Sequence, residues 1–329
     1  MKITLTAIKA DIGSIGGNIC PSRAIMKTVG EYFKKNSLAL LLINHRISYA
    51  GNYIVILCTH RKGVGNEAVH RLVREALLAG TKMAKQQGLY DDGKDLLKDS
   101  FSCNIRGMGL AVAEMEFEER QGESFLLFVA SETDPRAYIP ALYFGFADPM
   151  HYPRLVLSES MPDGFSFKVI DIARTQADKK ICLKLPRDIY NLVSLILGQG
   201  NYVIEGVYFN KTGEQVAAVS TVRLHNIASK YVGKDNPIML VRVQGDFPTT
   251  GEILESFKIE PYVAGLMRGS YVGPLMPVTL NNAISFSDGP PVVSCTAYCM
   301  RKGKLVETED VFAHPRWDHI RNEISALWR

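Results

Sequence analysis

One segment of the chain, Ser229-Lys230-Tyr231-Val232-Gly233-Lys234-Asp235-Asn236-Pro237, brings a phenol, an amine and a carboxylate close together. A lysine attacks a carbonyl only as the neutral amine, and burial or a neighbouring cation lowers its pKa enough for Schiff-base formation at neutral pH. A tyrosine three residues from Lys234 is within reach as the proton shuttle that such chemistry needs. Many solvated surface pairs have the same spacing, so the spacing alone leaves a catalytic role and a surface role open.

Composition limits the class of protein. The chain has 329 residues, of which 47% are hydrophobic and 22% charged, with a formal net charge of +4. Lysine and arginine are dispersed and no stripe of basic and aromatic residues occurs, which argues against a nucleic-acid partner. The sequence contains neither a signal peptide nor an apolar run of about 20 residues, and its six cysteines include no CxxC pair. We therefore expect a cytoplasmic protein with reduced thiols and no contact with membranes.

The hydrophobic periodicity predicts helices mixed with many hairpins, an arrangement typical of antiparallel or mixed sheets covered by helices. Residues 3–12 are predicted to form a buried strand that leads into a glycine-rich turn, and Asn66 is placed to cap a long amphipathic helix that ends at Gly88. The predicted strands span residues 3–12, 38–48, 53–60, 111–119, 125–130, 155–158, 165–172, 202–209, 216–222, 238–243, 292–300 and 304–307. The predicted helices begin near Pro21, Asn66, Arg187 and Trp317.

Several unusual blocks occur in a fixed order along nearly the whole chain. They are Lys9-Ala10-Asp11-Ile12-Gly13-Ser14, Gly88-Leu89-Tyr90, Asp95-Leu96-Leu97, Phe146-Ala147-Asp148-Pro149, Met267-Arg268-Gly269-Ser270, Gly273-Pro274-Leu275-Met276-Pro277 and Asp288-Gly289-Pro290-Pro291. Together they resemble the archaeal-type fructose-1,6-bisphosphate aldolase/phosphatase family. The resemblance implies an α+β fold, a four-layer α-β-β-α sandwich in a single domain over residues 1–329 without the family's long C-terminal tail. It also implies a large homo-oligomer, an octamer.

The resemblance implies roles for residues that match the family's motifs. Lys234 matches the lysine that forms the Schiff base with dihydroxyacetone phosphate, and Tyr231 matches the acid/base. Arg268 can bind a phosphate with two hydrogen bonds, although a structural ion pair with Asp288 is the alternative. The positions that match the family's other sugar-phosphate contacts are Tyr90, Gln244 and Asp288.

The family's magnesium ligands are only partly present. Asp11 and Asp235 are retained, and Glu132 could supply a further carboxylate. Neutral residues or a lysine stand at the other matching positions, which are Asn18, Asn52, Tyr53, Lys94, Ser131 and Asn236. Magnesium prefers several hard oxygen ligands. We therefore expect no cofactor, with a single Mg²⁺ ion as the alternative, and we expect Lys94 to lie in the site as a replacement cation or beside Lys234, with a surface position as its alternative.

These residues lead to three functional hypotheses. The first is a Schiff-base aldolase or lyase that acts on a carbonyl, anionic or phosphorylated substrate and has lost the magnesium-dependent phosphatase activity. The second is the bifunctional fructose-1,6-bisphosphate aldolase/phosphatase of gluconeogenesis. The third is a non-catalytic scaffold or sugar-phosphate sensor, against which the retention of both Tyr231 and Lys234 argues.

Overall fold

Two β-sheets and seven α-helices make up the described part of the chain. The computed structural model describes residues 1–16, 19–36, 41–89, 110–131, 133, 135–157, 164–171, 180–197, 202–220, 237–258, 275–282 and 290–328. The strands are β1 (Lys2–Ala10), β2 (Asn44–Ala50), β3 (Tyr53–His60), β4 (Ala111–Glu118), β5 (Glu123–Ser131), β6 (Phe165–Asp171), β7 (Ile181–Lys184), β8 (Tyr202–Phe209), β9 (Gln215–Val219), β10 (Ile238–Val243), β11 (Met276–Pro277), β12 (Val292–Arg301) and β13 (Lys304–Asp310). The helices are α1 (Arg23–Asn36), α2 (Glu67–Gln86), α3 (Ile139–Phe146), α4 (Arg154–Leu157), α5 (Ile189–Leu197), α6 (Thr250–Glu255) and α7 (Asp318–Trp328). This mixture confirms the predicted α+β class.

The smaller sheet is antiparallel, with the strand order β2-β3-β1-β4. Its central strand β1 is buried from Ile3 to Ala10. β2 and β3 form a hairpin over Gly51 and Asn52, and Gly51 has a φ of 56°, a left-handed conformation that glycine adopts without strain. The hairpin fixes the register of β2 on β3, in which Ala50 lies opposite Tyr53.

Helices α1 and α2 cover one face of the smaller sheet. The side chain of Asn66 accepts a hydrogen bond from the backbone N–H of Val69 at 3.2 Å, so the predicted N-cap of α2 is confirmed. The apolar stripes of both helices pack on Ile8 and Ala10 of β1. Burial of these stripes fixes the helices on the sheet.

The larger sheet contains nine of the described strands, in the order β11-β12-β5-β10-β9-β8-β6-β7 with β13 paired to β12. One of its faces packs against the smaller sheet, where Leu5 and Ala7 meet Leu127 and Val129. Its other face packs against α3, α5, α6 and α7 through a large aromatic core that includes Phe128. Side chains along β1 and β5 therefore alternate between the space between the sheets and a helical layer.

One predicted strand is wrong, and several short elements were not predicted. The strand predicted at 155–158 is wrong for residues 155–157, because α4 forms there after Pro153, with hydrogen bonds from Leu155 N to Tyr152 O and from Val156 N to Pro153 O. Proline favours the first turn of a helix and so competes with the strand pattern. Sequence analysis also missed the helices α3 and α6 and the short strands β7 and β11.

No helix in the described ranges is long and apolar enough to cross a membrane.

Candidate active site

The ends of four strands meet at one edge of the space between the two sheets. β1 ends at Ala10 just before Asp11, β5 ends at Ser131, and β10 and β12 begin beside Ser131. We call this edge the Asp11 end. Polar side chains gather there, whereas the middle of the space between the sheets is filled mainly by apolar residues.

The Asp11 carboxylate is buried, and N–H groups of described residues donate to both of its oxygens. Its Oδ1 accepts the backbone N–H of Gly13 at 3.2 Å, and its Oδ2 accepts the side-chain Nδ2 of Asn52 at 2.6 Å. Asp11 is only 4% exposed. Asn52 reaches Asp11 because the β2–β3 turn lies beside the end of β1, where the last pair of the register is Ala10 with Ile54. A carboxylate held in this way has one orientation.

A buried lysine shares this end of the molecule. Lys9 is 2% exposed, and its Nζ donates a hydrogen bond of 2.5 Å to the backbone oxygen of Ala130, which joins the two sheets. The same Nζ lies 3.7 Å from the centre of the Tyr53 ring, a cation–π distance. Sequence analysis did not identify Lys9 as a site residue. A signal existed, because Lys9 and Asp11 are two residues apart in a buried strand and therefore share a face.

Ser131 lies next to the peptide group that receives Lys9. Its side chain follows Leu127 and Val129 along β5 at intervals of two residues, so it faces the space between the sheets. Ser131 is 3% exposed, and its Oγ has no hydrogen-bond partner among the described residues.

Pro237 fixes the start of β10 at this end. Its backbone oxygen accepts hydrogen bonds from Ala130 N at 3.0 Å and from the phenol of Tyr138 at 3.0 Å. Burial raises the pKa of Tyr138 well above its usual value, so the phenol remains a donor. Lys234 precedes Pro237 by three residues in the sequence. The segment that carries the predicted Schiff-base lysine thus joins the described fold at the Asp11 end.

Other predicted site segments join the described fold here as well. Val292, the first residue of β12, pairs with Ser131, and Met276 N of β11 donates to Pro291 O at 2.9 Å. Ala111, the first residue of β4, pairs with Lys9. Eight predicted site residues belong to the segments that precede or follow these points and lie outside the described residues, namely Tyr90, Lys94, Glu132, Tyr231, Lys234, Asp235, Arg268 and Asp288.

Gln244 is at the other end of β10. It follows Val243, which pairs with Ser124 near the beginning of β5, and its backbone oxygen accepts a hydrogen bond from Arg120 Nη1 at 2.8 Å. β10 contains six residues, so Gln244 is about 20 Å from the Asp11 end. The structure therefore does not bring Gln244 and Asp11 of one chain to the same small ligand, and the predicted substrate contact of Gln244 stays a prediction.

A second polar cluster lies on the opposite face of β1, under α2. Glu114, Glu116 and Glu118 alternate with Met115 and Phe117, a pattern that predicts a solvent face for the three glutamates. The carboxylate of Glu114 is nevertheless buried: it accepts hydrogen bonds from Thr6 Oγ1 at 2.6 Å and from Gly65 N at 2.7 Å, and lies 2.9 Å from His70 Nε2. Burial opposes ionisation of Glu114, but the hydrogen bonds from His70 and Thr6 outweigh it and lower the pKa. The expectation is wrong because α2 and the loop before it cover this face.

His60 completes this second cluster. Its Nδ1 accepts the backbone N–H of Lys62 at 3.2 Å, which leaves Nε2 as the donor to Thr6 Oγ1 at 2.9 Å. Burial lowers the pKa of His60 to about 4, so the imidazole is neutral at pH 7. The cluster supports the fold on the side away from the Asp11 end.

The described residues do not fit a multi-ion magnesium cluster. Among them, no group of three or more histidine, cysteine, aspartate or glutamate side chains is arranged to hold a metal ion. Both oxygens of Asp11 already accept N–H donors, and the buried Lys9 brings its own positive charge to this end. Magnesium prefers several carboxylate and water oxygens in octahedral geometry. The cofactor expectation stays a prediction, because Asp235 and Glu132 lie outside the described residues.

Comparison with known proteins identifies relatives over nearly the whole chain. A family model described as Fructose-1,6-bisphosphatase matches residues 2–328. A fructose-1,6-bisphosphate aldolase/phosphatase of Thermus thermophilus is 43% identical over 98% of this chain and 89% of the relative. Proteins of the same name from Cenarchaeum symbiosum and Moorella thermoacetica are 41% and 40% identical, over 98% and 100% of this chain and 84% and 86% of the relatives.

These matches overturn the first functional hypothesis. A Schiff-base lyase without phosphatase activity was expected because several metal-ligand positions carry neutral residues. The relatives that match almost the full length bear the bifunctional name, which favours the second hypothesis. The loss of phosphatase activity was inferred only from the replacement of individual metal ligands. That inference was too strong, since a site can rearrange its charges around the same substrate.

The family model matches residues 2–328, and the relatives are 37–43% identical to the chain over at least 97% of its length. The chain therefore belongs to the fructose-1,6-bisphosphate aldolase/phosphatase family.

Proposed function

We propose that this protein is a bifunctional fructose-1,6-bisphosphate aldolase/phosphatase. The observation that carries the proposal is the convergence on the Asp11 end. Four described strands, β4, β10, β11 and β12, begin at this end, near Lys9 and Ser131. In the sequence they follow the segments that contain Tyr90, Lys234, Arg268 and Asp288. A site that binds a phosphorylated sugar through residues distant in sequence needs such a meeting point.

The aldolase half of the proposal rests on Lys234 and Tyr231. The neutral amine of Lys234 attacks the ketone carbon, water leaves, and the resulting iminium withdraws electrons so that a carbon–carbon bond forms or breaks beside it. Tyr231 transfers the proton between the substrate hydroxyl and solvent. Arg268 binds a phosphate of the substrate with two parallel hydrogen bonds.

The phosphatase half needs positive charge beside the phosphoryl oxygens, where negative charge must be stabilised. Within the described residues, Lys9 supplies a buried cation at the Asp11 end, and Asp11 is fixed in orientation by Asn52. Arg268 and Lys94 are further cations that we place in this site. We propose that the site holds no magnesium cluster and binds one Mg²⁺ ion at most, with Asp11, Asp235 and Glu132 as its candidate ligands.

The remaining architecture is also part of the proposal. The three hydrophobic clusters, one between the sheets and one on the outer face of each sheet, support a four-layer α-β-β-α sandwich in a single domain. We propose in addition that the protein is a homo-oligomer, as the family resemblance implies.

Two assays on the purified protein test the proposal. Formation of triose phosphates from fructose-1,6-bisphosphate reports the aldolase, and release of inorganic phosphate reports the phosphatase, each with magnesium and with a chelator. Borohydride reduction in the presence of dihydroxyacetone phosphate should add one triose phosphate, and peptide mapping should place it on Lys234.

Matched variants make these assays specific. Lys234→Ala should abolish the trapped adduct, whereas Lys230→Ala, which removes a nearby lysine, should leave it unchanged. Tyr231→Phe should retain the adduct and slow turnover by about 10²- to 10⁴-fold. A wild-type protein that releases no phosphate under either condition would contradict the phosphatase half, and an adduct on another lysine would contradict the assigned nucleophile.

A further inference from the structure

Ser131 has a buried side-chain hydroxyl that the proposed mechanism does not use. It lies at the last position of β5, it is 3% exposed, and its Oγ has no hydrogen-bond partner among the described residues. A buried hydroxyl without a partner loses its hydrogen bonds to water and gains none in return. Such a group weakens the fold and therefore calls for another explanation.

The surroundings of Ser131 point to an anionic partner. The peptide group between Ala130 and Ser131 is the one whose oxygen binds Lys9 Nζ at 2.5 Å. Ser131 thus adjoins a buried cation and faces the same space between the sheets as Lys9. A hydroxyl beside a fixed positive charge is well placed to donate to a negatively charged oxygen.

We propose that Ser131 is a substrate-binding residue whose hydroxyl donates a hydrogen bond to a phosphate oxygen of the sugar phosphate. The inference rests on the proposed function, because it requires a phosphorylated sugar at the Asp11 end. It adds a contact specific to this chain, since the family resemblance places an aspartate at this position. The unsatisfied hydroxyl of the free protein finds its acceptor when the substrate binds.

Ser294 is a matched control within the same structure. It lies on the neighbouring strand β12, pairs with Val129 two residues before Ser131, and is fully buried. Its Oγ donates to the backbone oxygen of Val129 at 3.5 Å. The two serines therefore differ in whether the protein itself satisfies the hydroxyl.

Calorimetric binding of fructose-1,6-bisphosphate and thermal unfolding of the free protein test the inference. Ser131→Ala should bind the sugar phosphate roughly tenfold more weakly, the loss expected for one hydrogen bond to a charged group. Its unfolding temperature should be equal to or above that of the wild type, because an unsatisfied polar group has been removed. Ser294→Ala should bind normally and unfold at the same or a lower temperature.

A second pair of variants allows for poor folding of Ser131→Ala. Ser131→Thr and Ser131→Val have nearly the same shape and both suit a strand, but only threonine keeps the hydroxyl. The Ser131→Thr protein should bind the sugar phosphate roughly tenfold more tightly than the Ser131→Val protein. Equal binding by threonine and valine, or by wild type and Ser131→Ala, would overturn the role of Ser131 while the proposed function stands. A wild-type protein that neither binds nor converts fructose-1,6-bisphosphate would overturn both.

Discussion

The side-chain amide of Asn52 donates a 2.6 Å hydrogen bond to the carboxylate of Asp11. The family resemblance implies a carboxylate at position 52, whereas this chain has a neutral amide there that binds Asp11. Asp11 is thereby stabilised by N–H donors from Asn52 and Gly13. A single substitution at Asn52 can therefore test how the charge of Asp11 is balanced.

Asn52→Asp should destabilise the protein in the absence of metal. The substitution replaces a hydrogen bond by two buried carboxylates in contact, and the loss of a hydrogen bond to a charged group alone is about 1.5–3 kcal/mol. Magnesium should restore stability to this variant more than to the wild type, because the ion would then gain a second carboxylate. Thermal unfolding at several magnesium concentrations measures both effects. Equal stability of the two proteins without magnesium would contradict the assigned role of Asn52.

Lys9→Met should lower kcat/KM for fructose-1,6-bisphosphate by about 100-fold, the usual effect of removing one preorganised charge that stabilises a transition state. Methionine keeps most of the apolar stem, so the variant should fold, although the oxygen of Ala130 loses its donor. Steady-state kinetics of both activities measures the effect. Lys168→Met is the control, since Lys168 binds Tyr208 on the β6–β8 part of the larger sheet. Unchanged kinetics in a folded Lys9→Met protein would exclude the charge from the mechanism.

The sequence was most informative where local chemistry decides structure. The buried strand β1 and the capping side chain of Asn66 could be recognised without tertiary information, because an apolar run and a helix cap are local features of the sequence. Residues 155–158 carry an apolar run that suits a strand equally well. A helix forms instead from Arg154 to Leu157, because Pro153 favours a helical first turn and Leu155 N bonds to Tyr152 O.

The charged part of the site was harder to predict, because its members are far apart in the sequence. Lys9 contacts Ala130, 121 residues away, and the pairing that creates this contact is a property of the packed sheets. Glu114 illustrates the same limit, since alternation along β4 predicted a solvent face that α2 and its preceding loop cover. Sequence patterns identify which residues share a face but not what lies on it.

Protein stability should fall as the pH drops from about 6.5 towards 4 because of His60. The folded-state pKa of His60 is about 4, lowered chiefly by burial, whereas the unfolded value is near 6.5. The unfolded state therefore binds the proton first, and the contribution to stability is complete above pH 6.5 and is lost on acidification. The charged and titratable groups that face His60 are Glu114, His70, Glu116 and Lys62.

Chemical denaturation between pH 5 and 7 measures this dependence for His60. His60→Gln should unfold with a smaller dependence on pH than the wild type, because glutamine does not titrate. His319→Gln, at an exposed position of α7, should keep the wild-type dependence. An identical slope for His60→Gln and the wild type would show that another group governs acid stability in this range.

Arg242→Met should lower the free energy of unfolding by about 3–5 kcal/mol and leave the activity of the folded protein unchanged. The guanidinium of Arg242 and the carboxylate of Glu123 have fully buried side chains and share hydrogen bonds of 3.1 and 2.8 Å. Burial opposes ionisation of Glu123, but Arg242 and Arg120 outweigh it and lower the pKa of the carboxyl. Removal of Arg242 therefore leaves the buried carboxylate of Glu123 without its main partner. The pair lies at the Gln244 end of β10, about 20 Å from the Asp11 end, so the substitution should not affect the proposed site.

Denaturant unfolding combined with kinetics separates the structural role of Arg242 from a catalytic one. The double variant Arg242→Met with Glu123→Met should regain part of the lost stability, because no buried charge is left and Arg120, whose side chain is 28% exposed, can turn to solvent. Arg187→Met breaks an exposed pair with Asp188 and should change stability by less than about 0.5 kcal/mol. If Arg242→Met lowers kcat/KM in protein that is fully folded, the two ends of β10 are coupled and the separation drawn between them is wrong.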